Sequence, residues 1–264
     1  MMMSIGSLSI SSALLTAVIF SFVIAFIFSM FGQGGGSVYT PLLLLLGYAV
    51  LLSTSTSLVL NLITSVSAGY IFYRKKLIDY RASLIFAPGI SIGAFAGGAL
   101  SKSFNTTVLM WLFVVFLLGV GARMIYAYWE KGAPEPHAPT HLSRRMAILI
   151  AVFGLAVGFL AGLLGVGGGI LIVPFMVYIG KFPTKIAAGS SHLIISFSAL
   201  AGILGHAATH EFDMVLIAAT GLAVLIGGNL GARLSMKMNT GVIKAGLGLI
   251  MWAFAAQLVV KLVA

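Results

Sequence analysis

Gly32-Gln33-Gly34-Gly35-Gly36-Ser37-Val38-Tyr39-Thr40-Pro41 and, 133 residues on, Gly165-Val166-Gly167-Gly168-Gly169-Ile170-Leu171-Ile172-Val173-Pro174 decide how this chain is read. Each glycine run interrupts a long apolar stretch. Glycine adopts left-handed backbone without steric penalty, so a run of it breaks a helix and lets a new one start just beyond. The shared register continues past the breaks. The same shift lays Gly47 on Gly180, and Ser57, Leu60, Ser65, Ala68 and Gly69 on Ser190, Leu193, Ser198, Ala201 and Gly202. After one inserted residue, Gly93, Gly97, Leu100, Ser101, Asn105 and Thr106 fall on Gly227, Gly231, Leu234, Ser235, Asn239 and Thr240. Chance similarity between apolar segments does not align glycine, proline and asparagine in this way, so the chain is an internal duplication.

Around the breaks the composition is that of a lipid-soluble protein. Of 264 residues 60% are hydrophobic and 8% charged, which excludes a soluble domain. Apolar runs bounded by glycine, proline or charge cover 13–31, 38–52, 55–73, 82–100 and 107–128, then 145–164, 170–180, 186–206, 214–234 and 242–263. Crossing a bilayer takes about 20 apolar residues, and backbone groups in lipid must be satisfied within their own segment. The expectation is therefore an all-α, polytopic membrane protein of two repeats, about five hydrophobic segments each, with glycine-broken helices. Segments 38–52 and 170–180 are short for a full span. Residues 1–128 form the first membrane repeat, 129–144 a linker with Pro134, Pro136 and Pro139, and 145–264 the second repeat. Met1 to Ser12 lacks the basic start of a cleaved leader, so the first run is expected to be retained. With no cysteine, disulfides, thiolate metal sites and thiol redox chemistry are excluded.

Charge sets the expected orientation. The loop with Arg74, Lys75, Lys76 and Arg81 is strongly basic and belongs in the cytoplasm, whereas its counterpart, 209–213, holds His210, Glu211 and Asp213 and no cation. Equivalent loops on opposite faces make the repeats inverted. The 129–144 linker is then cytoplasmic, both termini lie outside, and every basic residue except Lys102 and Lys261 faces inward. This asymmetry accounts for the net charge of +10 without any nucleic-acid partner.

Inverted repeats with short, glycine-interrupted segments at matching positions point to a transport site near the membrane midplane. New helices beginning at Ser37 and Ile170 would aim their N-termini at the breaks, where exposed N–H groups favour an anion. Gln33, Gly34, Gly35, Gly36 and Ser37 in the first half, and Gly167, Gly168 and Gly169 in the second, are the expected backbone elements of that site. Thr56, Ser57 and Asn61, facing Ser190, Ser191 and His192, are the expected side chains, because hydroxyl and amide donors suit an oxyanion. Isolated Gly97 and Gly119 are read as helix packing. All five acids, Asp79, Glu130, Glu135, Glu211 and Asp213, fall in loops, which disfavours cation transport and leaves His192 as the deep group suited to proton coupling. The pairs His206 and His210, and His137 and His141, are read as solvated positions and not as metal sites. Neither a catalytic set nor a nucleotide fingerprint is present, so no enzyme activity and no cofactor is expected.

The paired G-x-G-G-G-x-x-x-x-P pattern, Gly32 to Pro41 and Gly165 to Pro174, together with chain length and duplication, resembles the sulfite exporter TauE/SafE family, also called toluene sulfonate uptake permeases. The resemblance covers essentially the whole chain. It implies a multi-pass carrier of the bacterial inner membrane for small sulfur-containing anions such as sulfite or organosulfonates, with export the expected direction. The first copy departs from the second in having Gln33 where the second has apolar Val166, so the two breaks need not contribute equally. The competing class is a passive anion channel, or a membrane scaffold whose glycines serve only helix packing.

Overall fold

The structure is a computed structural model that describes residues 2–100, 107–126, 128, 142–164, 169–206 and 212–263. It is all-helical over these residues. In chain order the helices are α1 (Met2–Met30), α2 (Gly36–Leu45), α3 (Val50–Arg74), α4 (Tyr80–Leu100), α5 (Thr107–Tyr126), α6 (Arg144–Leu164), α7 (Gly169–Tyr178), α8 (Thr184–His206), α9 (Met214–Lys237) and α10 (Thr240–Val263). Shifted by the repeat distance, the first five overlie the second five. Among the described residues six helices are long and apolar enough to cross a membrane, the segments Ala13–Met30, Leu52–Arg74, Arg144–Gly162, Thr184–Leu204, Met214–Lys237 and Thr240–Val260. Large apolar side chains such as Leu15, Val115, Leu222 and Val260 cover the outside, as expected of a surface that meets lipid and not water.

The halves interlock by exchanging helices. α4 packs on α6 and α1 on α9, and these are equivalent pairs under the duplication. Both pairs approach closely because glycine removes the side chain at the crossing: Gly89 and Gly93 lie on the α6 backbone at Ala151 and Leu155, and Gly227 and Gly231 on the α1 backbone at Phe22 and Phe26. The helices that pack on their own counterparts run antiparallel. In the α3–α8 pair Leu58 meets Gly202 while Phe72 meets Gly189, and in the α5–α10 pair the Trp252 indole donates to the Leu118 carbonyl while Ile125 meets Gly248.

This register brings the cations to one end. Gly189 lies at Leu77, Ser190 at Asp79, the Lys185 ammonium donates to the Met236 carbonyl at 2.9 Å, Arg123 lies over the Tyr178 ring, and Tyr128 borders Gly241. The ends bearing Arg74, Lys75, Lys76, Arg81, Arg123, Arg144, Arg145, Lys181, Lys185, Arg233, Lys237 and Lys244 are thereby gathered together, and Lys261 closes the opposite end of α10.

The apolar run 38–52 is not one segment. α2 stops at Leu45 because Gly47 takes a left-handed φ of 86°, with its N–H on the Leu44 carbonyl and that of Tyr48 on the Leu43 carbonyl. That is the glycine-closed helix terminus expected from backbone physics. α2 then runs back along α1: Tyr39 packs with Ile24, and Leu43 with Ala17. The Tyr48 phenol is pushed above its ordinary value, first by burial and then by the Asp213 carboxylate, which places the far end of α2 beside the start of α9. A ten-residue helix is about 15 Å long, half the hydrocarbon thickness. α1 and α2 therefore form a hairpin whose turn lies at mid-depth, against Asn61 in the middle of α3.

Candidate functional site

At the hairpin turn Gly32, Gly34 and Gly35 have φ of 79°, 71° and 94°, so three positions of the first break use a conformation that disfavours any side chain. Space is equally restrictive. A Cβ on Gly34 would sit 2.6 Å from Ser65 Oγ and against Asn61 Oδ1, and one on Gly35 would sit 2.9 Å from the Tyr39 ring. Gly36 begins α2 in ordinary helical conformation and donates its N–H to Asn61 Oδ1 at 3.2 Å, while Ser57 Oγ donates to the Gly36 carbonyl at 3.1 Å. Asn61 and Ser57 thus clamp the first residue of α2 from one face of α3. The Gly35 N–H turns to the Gln33 carbonyl at 2.9 Å, and those of Val38 and Tyr39 to the Gly35 carbonyl. Two of the N–H groups expected to face a ligand, those of Gly35 and Gly36, are therefore held by the protein itself.

The end of α1 is anchored by the other half. Ser191 Oγ donates to the Gly32 carbonyl, and His192 Nε2 lies 3.2 Å from the Ser29 carbonyl. A carbonyl only accepts, so Nε2 carries the proton and Nδ1 of the neutral ring presents a lone pair. The ring sits 5.5 Å from that of Phe72 and is fully buried. Gly169, the first residue of α7, meets the first break directly: a Cβ there would fall 2.6 Å from the Gln33 carbonyl oxygen and 2.7 Å from Ile195. The starts of the two half-helices thus converge on one place.

Around that meeting point several buried polar atoms have no hydrogen-bond partner among the described residues: both amide atoms of Gln33, Asn61 Nδ2, Ser65 Oγ, Thr56 Oγ1 and His192 Nδ1. Each such atom costs about 1–3 kcal/mol if left unmet. Unmet buried polar atoms are the exception in folded proteins, and these gather at the break, although Ser21, Thr40 and Ser235 carry others.

Of the residues singled out from the sequence, the structure brings Gln33, Gly34, Gly35, Gly36, Ser57 and Asn61 together at the first break, with Ser191 and His192 fastening its floor. Ser37 and Thr56 are buried beside them in α2 and α3. Ser190 is turned elsewhere. It is buried, but its Oγ accepts the Asp79 N–H at 2.8 Å and so ties α8 to the start of α4, although the repeat aligns it with Ser57. Gly167 and Gly168 lie outside the described residues, as do His137, His141, His210 and Glu211. Gly119 does not serve packing as expected, since a Cβ built on it would meet no atom within 4 Å.

Two features were missed in the sequence. Tyr39 is fully buried at the break and donates from its hydroxyl to Thr64 Oγ1 at 2.9 Å, while Thr64 donates in turn to the Leu60 carbonyl at 2.8 Å. Its aromatic character on a short apolar segment gave no such signal. Asp79 and Asp213, one repeat apart, are matching helix caps: Asp79 Oδ1 accepts the Ala82 N–H at 2.7 Å, and Asp213 Oδ1 those of Val215 and Leu216 at 2.9 Å. That pair was legible from the shift of 134 alone.

The polar groups at the centre are not symmetric. The second-half counterparts of Gln33 and Asn61 are Val166 and Ile194, and the first-half counterparts of Ser191 and His192 are Leu58 and Val59. α7 is itself apolar and buried from Ile170 to Val177. One half thus supplies the break and its donors, and the other supplies the hydroxyl and imidazole that fasten it.

Known proteins match this chain along most of its length. The family described as sulfite exporter TauE/SafE matches residues 17–258. A probable membrane transporter protein, YunE, of Bacillus subtilis is 29% identical over 254 residues, covering 88% of this chain and 92% of its own. A probable membrane transporter protein of Xylella fastidiosa is 27% identical over 252 residues, 90% and 91% of the two chains. Another, MJ0441 of Methanocaldococcus jannaschii, is 28% identical over 198 residues, 72% and 70% of the two. No solved structure matches. With a match spanning nearly the whole bundle, glycine breaks included, the chain belongs to the sulfite exporter TauE/SafE family of membrane proteins and is a membrane transporter by its relatives.

Proposed function

We propose that this protein is a secondary carrier that exports a small sulfur oxyanion, sulfite or an organosulfonate, across the bacterial inner membrane by alternating access. The observation that carries the reading is the set of buried, unpartnered polar atoms of Gln33, Asn61, Ser65 and His192 where the starts of α2 and α7 meet. A dehydrated oxyanion needs several donors and no fixed negative charge nearby. Among the described residues no Asp or Glu is buried, while Gln33 and Asn61 offer amide N–H groups and the α2 terminus adds roughly half a positive charge. In this reading Gln33, Gly34, Gly35, Gly36, Ser37, Thr56, Ser57 and Asn61 line the substrate's side of the site, Gly167, Gly168 and Gly169 close it from the second break, and Ser191 and His192 hold it. Ser190 acts at a distance, through the loop it fastens.

The antiparallel α3–α8 and α5–α10 pairs and the one-sided cations support two repeats of opposite topology, 1–128 and 145–264, joined by a cytoplasmic 129–144 linker with both termini outside. Rocking of one repeat against the other about the meeting point would open the site to each face in turn. His192 is the group placed to link a proton to the anion: with Nε2 committed to Ser29, protonation would turn Nδ1 from acceptor to donor.

The test is flux. Proteoliposomes loaded with labelled sulfite should show saturable efflux that unlabelled sulfite on the far side accelerates, with taurine and sulfoacetate as competitors, and Asn61→Leu should remove it. Efflux that rises linearly with concentration and ignores the far side would replace the carrier with the passive channel.

A further inference from the structure

One serine and one aspartate recur in both halves and make different contacts in each. Ser190 and Asp79 have Ser57 and Asp213 as their repeat mates. At the basic end Ser190 Oγ accepts the Asp79 N–H at 2.8 Å, which ties α8 to the start of α4. At the other end the equivalent bond would join Ser57 on α3 to Asp213 at the start of α9. No such bond forms among the described residues, because Ser57 Oγ is turned to the Gly36 carbonyl at 3.1 Å. Both carboxylates nevertheless cap the helices they begin. The residues are the same and so are the caps, which leaves relative position as the difference between the two ends.

Ser57 and Ser190 also differ from the hydroxyls that serve their own helix. Thr64, Ser196 and Thr220 donate to the carbonyl four residues earlier, the ordinary partner of a hydroxyl in a membrane helix. Ser57 and Ser190 reach other elements instead. Depth permits the missing bond. Ile63 meets Gly221, and Ser67 Oγ donates to the Leu225 carbonyl at 2.7 Å, both pairs 158 apart in sequence. α3 and α9 therefore run side by side in one direction. At that separation Ser57 comes level with Val215, two residues or about 3 Å of helix rise from Asp213. The basic end, by contrast, is shut: Leu77 and Ile78 pack with Phe72, Ala188 and Met236, and the Leu77 carbonyl lies against Gly189.

Resting on the reading of the protein as a carrier with repeats of opposite topology, we propose that Ser190 and Ser57 are exchanging latches and that this structure is the state latched at the basic end. In the opposite state the repeats trade conformations. Ser57 leaves the Gly36 carbonyl and accepts the Asp213 N–H, while Ser190 releases Asp79 and donates to the carbonyl of Gly169, the repeat mate of Gly36. Each hydroxyl has a partner in either state, so neither state leaves it buried and unmet. The bonds broken and formed are equal in kind and number, which keeps the two states close in free energy, as a carrier that visits both requires. Both serines are positioning residues: they set which end is shut, and Gly36 and Gly169 pass that choice to the two breaks.

The test is a set of introduced disulfides in the full-length protein, which has no cysteine of its own. A disulfide needs Cα atoms within about 7 Å, so each pair joins where its latch closes. Under mild oxidation Ser190→Cys with Asp79→Cys should lose both free thiols, counted by intact mass after maleimide treatment. Ser57→Cys with Asp213→Cys should lose both as well, more slowly, and Ser57→Cys with Asp79→Cys, drawn from opposite ends, should keep both. Sulfite efflux, present before oxidation, should fall to background in each joined protein and return on reduction. Thiols at 57 and 213 that stay free in protein able to export sulfite overturn the proposal. So does export at the unoxidised rate by the protein joined at 79 and 190, a result that stands whether or not the other variant folds. Thiol counts need no substrate, which separates this proposal from the reading beneath it. Saturable efflux with free thiols at 57 and 213 keeps the carrier and removes the latches, whereas both disulfides without saturable efflux support the latches and remove the carrier.

Discussion

At the scale of single residues, the first break depends on backbone that only glycine adopts easily. Gly34 combines φ of 71° with a neighbourhood in which a Cβ would lie 2.6 Å from Ser65 Oγ and press on Asn61 Oδ1. Gly34→Ala should therefore abolish flux, with a stability loss of about 1–3 kcal/mol from strain and overpacking. Gly69→Ala is the control, because its Cβ would meet His192 Cβ at an ordinary 3.5 Å. Flux assays on protein normalised for expression check this, and a Gly34→Ala variant at the parental rate would detach the break from transport. His192 calls for a different readout. Glutamine can still donate an N–H to the Ser29 carbonyl but cannot carry a proton, so His192→Gln should fold, retain part of its flux and lose the pH dependence of the parent's flux. An unchanged pH profile would make His192 a fastening for α1 and nothing more. Sequence alone revealed that Gly34 sat in a helix break and that His192 was polar and deep. It could not reveal that Ser190, aligned with Ser57, spends its hydroxyl on Asp79, because that contact joins positions 111 apart.

At the scale of helices, much was legible and the reason is physical. The glycine runs at 34–36 and 167–169 interrupt apolar stretches, whereas the pairs at 97–98 and 227–228 lie inside α4 and α9. The ten segments follow from those two breaks together with the prolines and charges that bound the other apolar runs. What periodicity could not supply was rotation: a helix that is apolar on every side has no hydrophobic face to read, so which residues turn inward is decided only by packing. Tyr39 on α2 and the closely packed α4–α6 and α1–α9 pairs were hidden for this reason. The element that follows most directly from the structure is the crossing of α4 and α6. A Cβ on Gly158 would press on the Ile90 carbonyl oxygen and fall 2.8 Å from Ile90 Cα, where neither helix can give way without separating from the other. Gly158→Ala should therefore lower stability by about 1–3 kcal/mol. Gly119→Ala, with nothing within 4 Å, should be neutral or raise stability by up to about 1 kcal/mol through helix propensity. Thermal unfolding of both variants in one detergent decides, and equal midpoints would mean that the α4–α6 crossing does not depend on the absence of a side chain at Gly158.

For the whole molecule, orientation is the claim on which the carrier mechanism rests, and charge and packing bear on it independently. Charge alone argues for a cytoplasmic position of the loop with Arg74, Lys75, Lys76 and Arg81. Packing alone runs α3 antiparallel to α8, with Leu58 at Gly202 and Phe72 at Gly189, so the start of α9 lies at the end opposite Lys75. Neither argument uses the other, and together they require that Lys75 and Met214 face different compartments. Both are exposed, and the chain has no cysteine, so a single introduced thiol reports without background. In intact cells Met214→Cys should react with a membrane-impermeant maleimide and Lys75→Cys should not; in inverted vesicles the pattern should reverse. Each variant should first be shown to keep sulfite efflux, so that a misfolded chain is not scored. Labelling of both from the same side would contradict the antiparallel pairing and remove the symmetry that lets one site open in turn to each face. Labelling from opposite sides but in the reverse sense would keep the inverted repeat and overturn only the charge argument.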